Sequence, residues 1–162
     1  MGDEKPPTKV LTDAEHRQLG VDLFNGTWAL LDTENRTTEQ DDEMIHTAHA
    51  SRYHWGHVGA PENFARGEWQ ISRVYAVLGR AEPSLHHAKR VLDICQANGI
   101  ADFDIAAAYE ALARAHAVAG DAGEARRMTE LALAACEGIA EDEDREIVIG
   151  DLETIPGQPR FW

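Results

Sequence analysis

Two stretches of the chain decide its fold: ISRVYAVLGRAEPSLHHAKRVLDIC at residues 71–95 and LARAHAVAGDAGEARRMTELALAAC at residues 112–136. At an offset of 41 residues the identical pairs include Arg73 and Arg114, Gly79 and Gly120, and Cys95 and Cys136. In each copy a glycine separates two segments whose apolar residues recur at helical spacing, so each copy predicts a helical hairpin. A repeat of this length is typical of solenoids, whose hairpins bury their cores by stacking on one another.

The second copy resembles the tetratricopeptide repeat (TPR). Its first helix carries a large apolar residue, a small residue and a ring before Gly-Asp, in the pattern Leu112-Ala113-x-x-His116-x-x-x-Gly120-Asp121. Ala125 and Ala132-Leu133 then follow at the spacing that the family uses on its second helix. The resemblance covers roughly residues 61–138. It implies an interaction scaffold and no particular activity.

The first copy departs from the family pattern. Ser84 and Val91 stand where small alanines are expected, and Arg80 replaces the aspartate after the turn. The offset of 41 residues also exceeds the family's usual period of about 34. The helices or the loops between hairpins are therefore expected to be longer than in a standard repeat.

The predicted fold is all-α: a TPR-like α-solenoid of about three antiparallel helical hairpins with a C-terminal capping helix. The pattern Thr12-x-x-Glu15 predicts a capping box at the first helix, and Pro61 suits the first turn of the third. One domain is expected at residues 12–155. The predicted segments are a flexible N-terminal tail at 1–11, hairpins at about 12–57, 61–98 and 102–138, a capping helix at about 142–155 and a C-terminal tail at 156–162.

The charge balance is strongly acidic, with 29 Asp and Glu against 15 Lys and Arg and a formal net charge of −14. Nucleic-acid binding is not expected, because it requires basic patches that displace counterions from phosphates. A solvated acidic surface accounts for this charge, although a cationic partner or a metal would also suit it. No apolar run approaches the roughly 18 residues of a membrane span, and the polar start predicts no secretory signal. We therefore expect a cytoplasmic protein that does not bind membranes.

The first candidate site is the concave face of the predicted stack. In TPR-like proteins the first helix of each hairpin lines this face, so the resemblance places six residues there: Arg66, Trp69, Gln70, Arg73, Glu110 and Arg114. Arg73 and Arg114 are repeat-equivalent and should face the same way. Because guanidinium groups bind carboxylates bidentately, we predict a site for an acidic peptide, a carboxylate or a small anionic ligand. The alternative is that Glu110 and Arg114, at i,i+4, pair with each other.

The second candidate site is the predicted second helix, which holds four of the eight histidines: His46, His49, His54 and His57. His46/His49 and His54/His57 are i,i+3 pairs, which can converge on one ion. Glu43-x-x-His46 has the spacing found in di-iron bundles, although those use two copies. His86 and His87 would complete a site if the fold brings them near. This alternative function is a metal-binding protein or metal-dependent enzyme holding Zn, Fe, Cu or Ni. The competing interpretations are packed or solvent-facing histidines and a pH-sensitive interface.

Other catalytic signals are few. The sequence contains no phosphate-binding glycine-rich loop, no GxSxG and no HExxH, and its two cysteines, Cys95 and Cys136, are expected to be core residues. We therefore predict a binding module with a protein, peptide or small anionic ligand and no cofactor, rather than an enzyme. A reaction that uses Glu68, Tyr75 or Tyr109 stays open. The aromatic end, Phe161-Trp162, is expected to dock on its own domain or else on a second subunit of a homo-oligomer.

Overall fold

A computed structural model describes residues 7–162 of the protein, and these residues form α-helices and contain no strand. The all-α class predicted from the sequence is therefore confirmed for this part of the chain. Part of the predicted N-terminal tail, residues 1–6, lies outside the described residues. The helices are α1 (Asp13–Leu31), α2 (Thr38–Val58), α3 (Pro61–Val77), α4 (Ala81–Ala97), α5 (Phe103–Val118), α6 (Ala122–Cys136) and α7 (Asp142–Glu153).

Local signals in the sequence set the ends of the helices. Thr12 and Glu15 form a reciprocal capping box at the start of α1, as their spacing predicts. Pro61 occupies the first turn of α3, where its missing N–H would have no helical partner. Gly79 and Gly120 follow α3 and α5 with positive φ angles of 73° and 80°, which residues with a Cβ rarely adopt. These equivalent turns join helices of about equal length, so α4 and α6 fold back antiparallel on α3 and α5.

The odd-numbered helices form the continuous spine of the stack, because α1, α3, α5 and α7 contact one another in that order. Each of α2, α4 and α6 packs against its neighbours in sequence, and within residues 7–162 no two of these three helices have Cα atoms within 8 Å of each other. A furrow therefore runs along each flank of α4. The furrow between α2 and α4 has α3 as its floor, and the furrow between α4 and α6 has α5 as its floor. Both furrows bear on function below.

The core is built largely from small residues. Ten of the 16 residues of α5 are buried, and most of these are alanine, which lets neighbouring backbones approach closely. Cys95 and Cys136 are 0% and 3% exposed, as expected of core residues, and burial raises the pKa of the Cys95 thiol to about 11. Residues Val148, Leu152 and Ile155 bury α7 and its end in the same core cluster as α5 and α6. None of the helices in residues 7–162 is both long enough and apolar enough to cross a bilayer.

Candidate functional site

The repeat-equivalent arginines of the predicted concave site meet on one buried carboxylate. Arg73 Nη2 lies 3.3 Å from Glu110 Oε2, and Arg114 Nε donates to Glu110 Oε1 at 2.8 Å. Glu110 is only 1% exposed. Burial raises the pKa of its carboxyl, but Arg73 and Arg114 outweigh burial, so the net pKa is lowered and the group stays ionised. The pairing of Glu110 with Arg114 considered from the i,i+4 spacing is therefore present.

Helix α7 completes this network. Asp151 Oδ2 lies 3.2 Å from Arg73 Nη2, and Arg114 Nη2 donates to the Asp151 carbonyl oxygen at 2.8 Å and to Thr154 Oγ1 at 2.7 Å. Burial raises the pKa of the Asp151 carboxyl, and the neighbouring Arg73 only partly offsets this effect. Two arginines thus face two carboxylates, and both guanidinium groups already have anionic partners within the chain.

The other three residues of the predicted concave site lie along the same side of α3. Arg66 donates from Nε and Nη2 to the two carboxylate oxygens of Asp104 at 3.1 and 3.3 Å. The Trp69 ring lies 5.5 Å from that of Trp28 on α1, and Gln70 Nε2 donates to the Phe24 carbonyl oxygen at 3.0 Å. The structure thus places these residues together with Arg73 and the two α5 residues, in contacts that join α3 to its neighbours.

The four histidines of α2 divide between two places. His54 and His57 contact His16 on α1: the His16 and His54 Nδ1 atoms are 2.9 Å apart, and the His16 and His57 rings stack at 4.1 Å. His49 contacts α3 and α4 instead, and Glu43 and His46 are exposed on α2. Across residues 7–162, no group of three or more His, Cys, Asp or Glu side chains is arranged to hold a metal ion.

A second buried carboxylate, Glu68, gathers side chains from both flanking helices. His87 Nδ1 donates to Glu68 Oε2 at 2.6 Å, and Arg90 Nε donates to Glu68 Oε1 at 3.1 Å, both from α4. From α2, Arg52 Nε lies 3.4 Å from Glu68 Oε1, at ion-pair distance without hydrogen-bond geometry. His49 Nε2 and the Tyr75 hydroxyl are 2.8 Å apart beside them. These six residues, Arg52, His49, Glu68, Tyr75, His87 and Arg90, are called the Glu68 cluster below.

The Glu68 cluster fills the furrow between α2 and α4. The Glu68 side chain is 6% exposed, that of Arg52 22% and that of Arg90 48%, so the carboxylate forms the floor and the arginines reach the surface. The ring of His49 lies 5.4 Å from that of His87, which is the approach of the second and fourth helices on which the metal hypothesis depended. The geometry there is a ring contact and a carboxylate pair rather than convergent ligands.

A glycine makes the Glu68 cluster sterically allowed. Gly67 lies in the interior of α3, where glycine costs about 0.5–1 kcal/mol relative to alanine. A Cβ at this position would lie 2.7 Å from Arg52 Cδ, so the missing side chain gives Arg52 its route across α3 to Glu68. Arg52 also lies over the Phe64 ring, 4.5 Å from its centroid. The helix therefore gives up intrinsic stability at the point where this arginine must pass.

Protonation in the Glu68 cluster follows from its contacts. Burial raises the pKa of the Glu68 carboxyl, but the hydrogen bonds from His87 and Arg90 lower it further, so the net pKa is lowered and the carboxylate is ionised. An ionised carboxylate only accepts, so His87 carries its proton on Nδ1 and leaves Nε2 for another partner. Burial, and then the nearby His87, lower the pKa of His49. The neutral form of His49 is therefore favoured.

Sequence reasoning found only part of the Glu68 cluster. It named Glu68 and Tyr75 as residues that a reaction could use and His87 as a candidate partner of α2, but it did not name Arg52 or Arg90. The available signal was spacing: His49 and Arg52, and His87 and Arg90, are i,i+3 pairs that flank α3. A glycine inside α3 was the second signal, since it marks a close approach.

The C-terminal aromatic pair docks on the chain itself. Trp162 is half-buried and packs against the main core cluster. The Arg126 guanidinium lies 4.2 Å from the centroid of the Phe161 ring, which stays 38% exposed.

No protein-family model matches the chain, and no curated protein or solved structure matches it either.

Proposed function

We propose that the protein is a TPR-like binding module that holds an anionic group, a carboxylate or a phosphate, at the Glu68 cluster. The 41-residue offset and the series of contacts between odd-numbered helices support the TPR-like assignment. The cluster, rather than the concave arginines, is proposed as the site because of the charges that each place leaves uncompensated.

The concave arginines are balanced. Arg73 and Arg114 face Glu110 and Asp151, so no net positive charge remains for a ligand. Their side chains are also only 11% and 7% exposed. The pocket of about 290 Å³ beside Arg114 is lined mainly by apolar residues, so an anion that reached both guanidinium groups would have to displace α7, whose apolar residues belong to the core. This cost argues against the concave face as the binding surface.

The Glu68 cluster has an excess of donors, and this observation carries the proposal. The ion pairs of Arg52, His87 and Arg90 all end on the single carboxylate of Glu68. A guanidinium has five N–H donors, and the hydrogen bond from Arg90 to Glu68 uses only Nε. The terminal nitrogens of Arg90 therefore remain for a ligand at the surface, and His87 Nε2 becomes a further donor when the ring is protonated. The planar guanidinium group of Arg90 suits an anion with two or more oxygens.

The test is to titrate isotope-labelled protein with acetate, succinate and inorganic phosphate and to monitor the amide chemical shifts by NMR. Acetamide is the neutral comparison. We expect shifts centred on α2, α3 and α4 that weaken with added salt. Arg90→Gln should reduce the apparent affinity several-fold, since it removes charge without removing the pair of Glu68 with His87. The matched control is Arg126→Gln on α6, whose exposed side chain pairs with Glu130.

Two results would overturn the proposal. One is equal anion binding by Arg90→Gln and Arg126→Gln, which would remove the cluster from the binding site. The other is a pattern of shifts centred on Arg73 and Arg114, which would place the anion on the concave face.

A further inference from the structure

The second furrow along α4 differs from the first because it is open. Between α4 and α6 lies a groove of about 440 Å³, and its apolar lining is Leu92, Tyr109, Leu112, Met128 and Leu131. Leu131 is 37% exposed at its edge. This set of residues is called the α4–α6 groove below.

The repeat explains why the two furrows differ. At the 41-residue offset, Tyr109 takes the place of Glu68, Met128 that of His87 and Leu131 that of Arg90. The same position in the fold therefore presents a charged cluster on one flank of α4 and an apolar groove on the other. Adjacent sites of opposite character suit one ligand with a charged group and an apolar group.

Helix α4 is the wall between these two sites. At 100° per residue, His87 and Arg90 lie on one flank of α4, and Leu85 and Leu92 on the other. Its outer crest carries a shallow pocket of about 250 Å³ lined by Glu82, Leu85, His86 and Lys89. Lys89 also lines the α4–α6 groove. The crest pocket thus lies between the two furrows, since the ring of its His86 lies 5.0 Å from that of His87 in the Glu68 cluster.

Local charge selects the sign of the partner. In a chain of net charge −14, the cluster and the rims of the groove expose Arg90, Lys89 and Arg127. Arg127 pairs with Glu124 on its own helix at 3.1 Å, whereas Arg52 and Arg90 share the single carboxylate of Glu68. The cluster and Lys89 therefore supply the uncompensated positive charge. An acidic partner is therefore attracted to α4, whereas the acidic surface elsewhere on the chain repels it.

We infer that the ligand is an extended peptide segment that carries an acidic residue and, about four residues away, a large apolar residue. The acidic side chain lies on the Glu68 cluster and the apolar side chain enters the α4–α6 groove. The spacing follows from the wall: a helix with its side chains is about 10–12 Å wide, and four extended residues span about 13 Å. This inference rests on the proposed function and specifies its ligand.

Capped peptides test the inference by amide chemical-shift titration. The probe is acetyl-Glu-Ser-Ser-Ser-Leu-amide, compared with versions that carry Ser for Leu, Gln for Glu, or one serine instead of three. We expect the full probe to bind roughly tenfold more tightly than the version without leucine, as partial burial of a leucine allows. The short-spaced peptide should lose most of this gain, because it cannot reach both furrows.

Protein variants separate this inference from the proposed function. Leu131→Gln should reduce the affinity for the full probe to that of the leucine-free peptide and leave the leucine-free peptide unaffected. Ile147→Gln, at a position on α7 that is 51% exposed, is the matched control and should change neither affinity. Arg90→Gln should weaken both peptides.

The outcomes are distinguishable. Equal affinity for the probe with and without leucine, or an unchanged affinity in Leu131→Gln, would overturn docking across α4. So would tight binding of the peptide with Gln in place of Glu. If Arg90→Gln still weakens the leucine-free peptide in these cases, anion binding at the Glu68 cluster stands. If Arg90→Gln and Arg126→Gln bind every peptide equally, the proposed function itself is wrong.

Discussion

At the scale of single residues, two buried glutamates give the molecule its polar interior. Glu110 and Glu68 lie on consecutive odd-numbered helices, at 1% and 5% exposure, and each is held by cationic side chains from more than one helix. The first has all its partners within the buried network, whereas the second has partners that reach solvent. This difference in exposure makes one glutamate structural and the other the floor of the proposed site.

Removing the charge of Glu110 should destabilise the protein strongly. Glu110→Gln leaves two buried guanidinium groups without their central carboxylate, and breaking such a pair costs about 3–5 kcal/mol. The matched control is Glu130→Gln, which removes an exposed i,i+4 pair with Arg126 and should cost less than about 1 kcal/mol. Urea denaturation followed by circular dichroism measures both. Similar losses in the two variants would show that the Glu110 network contributes no more than a surface pair.

The role of Gly67 can be measured against another helical glycine. A Cβ at Gly26 on α1 meets nothing within 4 Å, so Gly26→Ala should raise the free energy of unfolding by about 0.5–1 kcal/mol. Gly67→Ala should give no such gain, because its Cβ displaces Arg52 from Glu68. In an Arg52→Ala background the same substitution should become stabilising. Equal stabilisation by Gly67→Ala and Gly26→Ala in the wild-type background would contradict this account of the glycine.

At the scale of helices, α1 and α2 are joined at one end by imidazoles. His16 and His54 share a hydrogen bond between their Nδ1 atoms, so one ring donates and the other accepts. Protonating the acceptor replaces this bond with two N–H groups that face each other. Burial first, and then His16 and His57, lower the pKa of His54. The end of this hairpin is therefore sensitive to mild acid.

This arrangement predicts the sign of a pH effect. Because the pKa of His54 is lower in the folded state than in the unfolded chain, the contribution of His54 is complete above the unfolded value of about 6.5. It declines as the pH falls from there through the folded pKa. Denaturation at a series of pH values from neutral into mild acid should show a smaller decline for His54→Gln than for the wild type. His86→Gln, at an exposed position on α4, should leave the decline unchanged; a decline identical in all three proteins would exclude His54 as its source.

The concave arginines also support the packing of α7, so reversing their charge would disturb the fold. Reversing Arg73 and Arg114 to glutamate would place four carboxylates together beneath α7, where two ion-paired arginines now hold Glu110 and Asp151. Loss of ligand capture would then report loss of α7 packing rather than loss of a binding site. Arg90, at the surface, allows a cleaner substitution.

At the scale of the whole molecule, the stack leaves its even-numbered helices apart and so creates the two furrows of α4. At the arginines the spine has a smaller opening, a pocket of about 290 Å³ beside Arg114, and α7 lies against the guanidinium groups. The proposed binding surface is therefore on the face of the even-numbered helices. Its two halves differ because the two copies of the repeat carry different residues at equivalent positions.

Local patterns in the amino-acid sequence are enough to predict the all-helical class and the places where the hairpins turn. Apolar spacing, the Thr12–Glu15 capping box and the glycines at the turns act over a few residues, so their outcome does not depend on the rest of the chain. The repeat also predicts that Arg73 and Arg114 are equivalent. In the structure both contact the carboxylate of Glu110.

The packing of the helices, by contrast, sets which charges are balanced and which are in excess. Whether Arg114 meets Asp151, or Arg52 meets Glu68, depends on the rotation and spacing of helices that are far apart in sequence. The division of the α2 histidines between α1 and α4 has the same origin. The concave site and the Glu68 cluster both combine a buried glutamate with two arginines. Burial by α7 and exposure along α4, which no local pattern encodes, make the first a support of the fold and the second the proposed site.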